Sequence, residues 1–216
     1  ERTRNKMEPS CGLSIVKCEN QKDDGRMETQ KRKQNEKEKA DRRMKIVAGL
    51  GSVDEYIPYV QAGADELFCG YVPYNWTKKY GTVLPLNRRE VLAYNVQLGS
   101  FSELEILSAM IRKYRKPVHI AMNSLYYIPE QYEEIADIVK QCMKIGFDSF
   151  ILADPALILY LRQKGISCKI HLSGEAGEMN REAIKVFREM GIGRIIFHRK
   201  NTVASKRQMI EAANAE

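Results

Sequence analysis

The side chains best suited to chemistry stand at the carboxyl ends of short apolar runs. One run ends in Asn123 and another in Asp154; a third continues as His171-Leu172-Ser173-Gly174-Glu175, and a fourth ends in His198-Arg199. Alternate residues of a strand share a face, so His119 falls with Asn123, and His171 with Ser173 and Glu175. If those faces line the interior of a barrel, the polar groups converge at one mouth. Asp154, His171, Glu175 and Arg199 are the candidate catalytic residues, with Asn123, Ser173 and His198 as substrate-binding candidates. Two chemistries can be written from them. Asp154, His171 and Glu175 make a carboxylate–histidine set of metal-binding type, and Cys69 with His171 makes a nucleophilic dyad. Each residue also has a plainer role. Asp154 precedes a proline, as a good N-cap does. His171 and His119 read as hydrogen-bonded core histidines. Cys69 and Cys142 read as small buried residues. No metal is assigned, and H-E-x-x-H, G-x-S-x-G and P-loop signatures are missing.

The elements that must hold these residues repeat from Met44 onward. Apolar runs at 45–48, 66–69, 118–122, 150–153, 169–172 and 194–197 are short and rich in Ile, Val, Leu or Phe, as buried parallel strands are. Between them lie amphipathic helices with their own punctuation. Ser52 with Glu55, and Ser100 with Glu103, have capping-box spacing. Pro129 and Pro155 stand at first helical positions. Glycines at 63, 146, 165 and 191 stand where a helix ends and the next strand starts. The helix from about residue 130 to 144 places Tyr132, Ile135, Ile138, Val139 and Cys142 on one face.

Such alternation gives a parallel sheet with right-handed crossovers. Ala48-Gly49-Leu50-Gly51-Ser52 lacks the third glycine of a dinucleotide fingerprint, which disfavours an open nucleotide-binding fold. The expected fold class is α/β, a partial (β/α) TIM-like barrel of about six βα units. A closed barrel has eight units, so residues 44–216 are expected to be truncated at the C-terminus. An open parallel sheet exposes the edges of its first and last strands, and oligomers or poor solubility are expected from it.

Composition sets the surroundings. Of the 216 residues, 44% are hydrophobic, and no apolar run approaches the ~20 residues that cross a bilayer. The expectation is a cytoplasmic chain with no membrane contact. Residues 1–43 hold 13 Lys/Arg against 9 Asp/Glu, and the remainder 22 against 19. The second region is too near neutral to advertise a nucleic-acid surface, and Arg88-Arg89 and Lys206-Arg207 read as solvated faces. Residues 1–43 read as a disordered charged tail. The alternatives are a basic arm for nucleic acid or membrane, or non-native upstream sequence read in frame. Five cysteines with no C-x-x-C pair favour reduced thiols.

At the same strand ends the sequence resembles the peptidase U32 family, the collagenase-like peptidases. Ile46-Val-Ala-Gly-Leu-Gly-Ser52 is similar to the family's opening L-L-A-P-A-G-S. Ala62-Gly-Ala-Asp65 and the strand to Gly70 resemble A-G-A-D-A-V-Y-L-G. Met122-Asn-Ser-Leu125 resembles T-L-N-T-L, and Asp154-Pro-Ala-Leu157 resembles D-P-G-L. His171-Leu-Ser-Gly-Glu-Ala-Gly-Glu-Met-Asn180 lies along H-x-S-T-Q-A-N-x-x-N, and Ile196-Phe-His-Arg199 resembles V-L-A-R. The order of these matches across residues 44–204 makes the resemblance specific.

The resemblance implies a barrel-like N-terminal domain whose mouth is lined by Asn123, Asp154, His171, Ser173, Asn180 and Arg199; it adds Asn180 to the substrate-binding candidates. Gly174, Glu175 and Gly177 replace the family's Thr, Gln and Asn and leave an extra carboxylate. Members carry the peptidase label, while others resemble hydroxylation enzymes acting on RNA bases or quinone precursors, with an iron–sulfur cluster held by cysteines. The family's E-x-F-x-x-G-x-x-C-x-x-x-x-G-x-C motif is occupied by none of the five cysteines here, so no cofactor is assigned. The leading expectation is a U32 peptidase-like fragment. Its rivals are a portion of an iron–sulfur-dependent hydroxylation enzyme, or a non-catalytic chain completed by a partner subunit or by its own copies.

Overall fold

The computed structural model describes residues 44–81, 83–88 and 97–214. The expected charged tail, residues 1–43, lies outside them. The described strands are β1 (Val47–Leu50), β2 (Glu66–Tyr71), β3 (Gln97–Leu98), β4 (Val118–Met122), β5 (Ser149–Leu152), β6 (Lys169–Leu172) and β7 (Arg194–Ile195). All pair in parallel in the order β1-β2-β4-β5-β6-β7, and β3 pairs with the end of β2. Helices α1 (Tyr56–Gln61), α2 (Tyr74–Tyr80), α3 (Phe101–Tyr114), α4 (Pro129–Lys144), α5 (Pro155–Gln163), α6 (Arg181–Glu189) and α7 (Val203–Asn214) alternate with them. The result is a parallel half-barrel, a partial TIM-like fold.

Alternation divides each strand between two surroundings. Leu67 and Cys69 of β2, Val118, Ile120 and Met122 of β4, Phe150 and Leu152 of β5, and Ile170 and Leu172 of β6 are buried in the apolar core. That core continues into the helices through Leu104 and Leu107, Ile135 and Val139, and Leu157 and Leu161. Each such side chain contributes about 1.5–3 kcal/mol by leaving water. The intervening strand residues, among them Phe68, His119, Ala121, Ile151, His171 and Arg194, face the concave side instead and line a cavity.

Most of the punctuation acts as its chemistry dictates. Ser100 and Glu103 form a reciprocal capping box on α3, and Pro129 and Pro155 open α4 and α5. Gly63, Gly146, Gly165 and Gly191 all have positive φ, the conformation a residue with a Cβ resists. Two expectations need correction. Ser52 makes no side-chain cap; instead Glu55 Oε2 accepts from the Gly51 amide at 2.6 Å, ahead of a short 3₁₀ turn. The first strand also starts two residues later than its apolar run, at Val47, and the last ends at Ile195. The sequence does not announce β3, because two residues carry no periodicity to read.

The segment from Leu84 to Arg88 is pinned by side chains from elsewhere. Trp76 Nε1 and Gln131 Nε2 both donate to the Leu84 carbonyl at 3.2 Å. Ser124 Oγ donates to Pro85 O at 2.5 Å, Tyr127 Oη to Leu86 O at 2.7 Å, and Asn87 Nδ2 to Ala121 O at 2.9 Å. Gly70 makes room for this arrangement: a Cβ there would stand 2.5 Å from Asn87 Nδ2 and 2.4 Å from Gln97 Oε1. Gly70→Ala is therefore expected to push Asn87 off the Ala121 carbonyl. Its cost should be about 1–2 kcal/mol, that of a buried amide hydrogen bond. A denaturant midpoint equal to that of the parent chain would contradict this account.

Candidate functional site

The concave face holds a cavity of about 720 Å³ at the carboxyl end of the sheet, where ligands bind in parallel α/β folds. Its apolar wall is Val47, Phe68, Ala121, Ile151, Ile196 and Phe197. Of the eight residues singled out in the sequence, Asn123, His171, Ser173, Glu175, His198 and Arg199 line it. Asp154 and Asn180 do not; both are helix caps. Asp154 Oδ1 accepts from the Ala156 amide at 2.9 Å and Oδ2 from the Tyr132 hydroxyl at 3.1 Å. Asn180 Oδ1 accepts from the Ala183 amide at 2.9 Å.

Beneath the cavity lies a charged network whose centre is Glu66, at the start of β2. Its carboxylate accepts from both terminal nitrogens of Arg194, from Lys45 Nζ at 3.1 Å, and pairs with His119 Nε2 at 3.0 Å. His119 Nδ1 lies 2.5 Å from Ser149 Oγ, so both ring nitrogens are engaged, as a structural histidine requires. The Arg194 guanidinium holds the Glu66 carboxyl well below the usual carboxylate range, reinforced by His119 and Lys45 against the opposing effect of burial. Arg194 also lines the cavity.

His171 packs edge-on against His119, with ring centroids 4.5 Å apart. Its imidazole hydrogen-bonds to none of the described residues. Burial lowers its pKa to about 4, with the neighbouring His119 and Arg194 acting in the same direction. At neutral pH it therefore presents an uncharged imidazole to the cavity, able to donate at one nitrogen and accept at the other.

At the rim, hydrogen bonds close a ring. Arg88 Nη1 pairs with Glu175 Oε2, and the Arg88 amide donates to Asn123 Oδ1 at 3.3 Å. Asn123 Nδ2 donates to Ser173 Oγ at 3.3 Å, and that oxygen accepts from the Glu175 amide at 3.2 Å. Gly174 lies between, so close to the residues after β7 that a Cβ would stand 3.1 Å from the carbonyls of Ile196 and Phe197. Sequence reasoning missed Arg88, Arg194 and Glu66. Beside Arg89, Arg88 has the pattern of a solvated basic pair; its position on the cavity follows from the pinned segment, which no local pattern announces.

Two chemistries considered from sequence do not form here. Cys69 lies in the core, where burial pushes its thiol up, and it does not line the cavity beside His171. Among the described residues no three His, Cys, Asp or Glu side chains converge as metal ligands, and Asp154 stands apart from His171 and Glu175 as a cap. An iron–sulfur cluster needs thiolates, yet Cys69, Cys142 and Cys168 are all buried, and burial pushes Cys142 up to about 12. The described cysteines do not fit a cluster.

The strand-end motifs and the half-barrel have counterparts in known proteins. The model of peptidase family U32 matches residues 51–216. The chain belongs to peptidase family U32. Among curated proteins it is similar to tRNA hydroxylation protein P of Escherichia coli (strain K12), 27% identical over 138 residues, 64% of this chain and 27% of that protein. It is likewise similar to tRNA hydroxylation protein P1 of Bacillus subtilis (strain 168), 22% identical over 79% of this chain and 36% of that protein. The chain thus spans roughly a quarter to a third of the length of these relatives. A solved structure, the U32 peptidase Mk0906, superposes with a TM-score of 0.56 at 15% identity, over 78% of this chain and 65% of that one. This likeness shows a shared fold, the partial (β/α) barrel. No helix among the described residues is long and apolar enough to cross a membrane.

The environment of His171 sets a pH dependence. An unfolded chain binds a proton at this histidine near pH 6.5, whereas the folded chain resists it until about pH 4. The unfolded state therefore binds more protons between those values, and stability falls as pH drops through that window. His171→Asn is expected to lessen the slope of the stability curve between pH 6.5 and 4, the remainder coming from His119, whose burial also lowers it, measured by denaturant unfolding at stepped pH. An unaltered slope would mean that His171 is not held neutral by the fold.

Proposed function

We propose that this half-barrel is the base-holding portion of a tRNA-modifying U32 protein, acting in the cytoplasm. The observation that carries the reading is the cavity lining: a neutral imidazole, an amide and a hydroxyl stand among Phe68 and Phe197, with Arg88 and Arg199 around them. Proteins that act on a nucleobase need this mixture. Aromatic and apolar side chains stack on the base, uncharged polar groups read its edge, and arginines meet the flanking phosphates. A cavity of about 720 Å³ is of ligand-holding size. The names of the two curated relatives, which align over 64% and 79% of the chain, support the same substrate class.

Peptide hydrolysis is the second reading, favoured by the family label and by His171, Ser173 and Glu175 sharing the cavity. With these residues it asks for Ser173 activated by a base. Ser173 Oγ accepts from Asn123 Nδ2 and from the Glu175 amide, and among the described residues no histidine or carboxylate accepts its proton. A role as one partner in a larger assembly, with its own copies or another subunit, is compatible with either reading. Among the described residues β1 pairs only with β2 and β7 only with β6.

The decisive measurement is binding of the full chain to unmodified tRNA, followed by labelled-RNA anisotropy across a salt series. Binding should weaken with rising salt. Phe197→Ala is expected to weaken it further by about 1–3 kcal/mol, the worth of one stacked base. If Phe197→Ala binds tRNA like the parent chain, while a peptide substrate is cleaved in a Ser173-dependent manner, the peptidase reading replaces this one.

A further inference from the structure

We infer that the rim of the cavity is a phosphate subsite in which Glu175 serves as a resident counter-anion, occupying Arg88 until a ligand phosphate displaces it. The choice of phosphate rests on the nucleic-acid reading above. The exchange itself rests on the geometry.

The receiving group is built rather than incidental. Arg88 follows a stretch in which the carbonyls of Leu84, Pro85 and Leu86 are each held by a side chain from elsewhere in the chain. Asn87, buried and bonded to Ala121 O, fixes the residue next to it. The guanidinium is thereby presented at the mouth with its backbone amide held by Asn123. A planar fork in that position suits a bidentate oxyanion, whether carboxylate or phosphate.

The occupying group is correspondingly easy to exchange. The Arg88 and Glu175 side chains are 47% and 40% exposed, and ion pairs in water contribute little net stability. Glu175 nevertheless cannot drift away, because Ser173 holds its amide in the same ring that holds Arg88. A carboxylate tethered in this manner competes with any incoming anion at a constant local concentration. Arg199 lines the same cavity and makes no ion pair with the described residues. It is a second cation ready for the arriving charge. Once the phosphate takes Arg88, the Glu175 carboxylate turns to solvent.

Glu175 therefore sets the threshold for anion binding. Its removal is expected to tighten binding, whereas an ordinary contact residue would weaken it on removal. The test is a double-mutant cycle on the full chain with Glu175→Gln, Arg88→Gln and the double variant, using two probes, inorganic pyrophosphate and unmodified tRNA. Glu175→Gln should tighten pyrophosphate binding about three- to fivefold at low salt, and this gain should vanish in the Arg88→Gln background. Arg88→Lys, which keeps the charge but not the fork, should retain part of the gain; thermal melts confirm that each variant is folded.

The two probes separate this inference from the reading beneath it. If pyrophosphate follows the cycle but no variant binds tRNA, the phosphate subsite stands and the tRNA reading falls. If Glu175→Gln tightens binding equally with Gln at position 88, only bulk charge has changed and the inference is overturned. It is overturned likewise if Glu175→Gln leaves pyrophosphate binding unchanged.

Discussion

One carboxylate gathers the concave face of this half-barrel. Glu66, at the base of β2, is bound at once by Arg194 of β7, by His119 of β4 and by Lys45 ahead of β1. Between β2 and β7 the sheet order places β4, β5 and β6, so the Glu66–Arg194 pair spans the hollow of the sheet. A flat sheet would hold these residues too far apart. The pair and the curvature require each other. Buried ion pairs are weak sources of net stability because desolvation offsets attraction, but losing Arg194 would leave the buried Glu66 carboxylate only Lys45 and His119 to answer its charge. The network therefore acts chiefly as a condition on shape: arrangements that uncurl the sheet strand a carboxylate in a site built for three partners.

The same network governs the protonation of the cavity above it. Arg194 is shared between the two layers, pairing with Glu66 below and lining the cavity beside His171. Burial chiefly, with His119 and then the Arg194 charge acting in the same direction, keeps the His171 imidazole neutral. His119 is also held below its ordinary value, with desolvation outweighing its bond to Glu66. Two aromatic nitrogen rings can then pack edge to face without repulsion. A floor that is charged yet internally paired thus supports a cavity whose central donor and acceptor is uncharged. That combination admits a polar, planar ligand more readily than an ion, while charge recognition is left to the rim.

The legibility of the chain divides along the two faces of the sheet. Helix starts and stops are local chemistry, so the Ser100 box, the Asp154 cap and the helix-ending glycines were readable. The exception shows the limit. Ser52 has the spacing of a cap, but a 3₁₀ turn follows it and Glu55 bonds the Gly51 amide instead. The apolar runs marked the core face well, and strand ends marked six of the cavity residues. What could not be read was anything that depends on curvature. Glu66 and Arg194 stand at opposite ends of the described sequence, and nothing along the chain announces their meeting. Arg88 was hidden for a similar reason: beside Arg89 it has the look of a solvated pair. Only the anchoring of Leu84, Pro85 and Leu86 by distant side chains brings it over the mouth.

That anchoring also explains how a rim can be both ordered and exchangeable. Backbone positions around the mouth are set by buried bonds: Asn87 to β4, Ser124 and Tyr127 to the Leu84–Arg88 segment, and Gly174 against the carbonyls after β7. The charges they present, at Arg88, Glu175 and Arg199, face water, where partners trade at low cost. Placing rigidity in the main chain and exchange in the side chains allows one charge pair to separate without moving a strand. A substitution deep in the segment, such as one at Asn87, would therefore act on the mouth through position. A substitution at Glu175 acts on it through charge alone, and these two kinds of change should leave different marks on ligand binding.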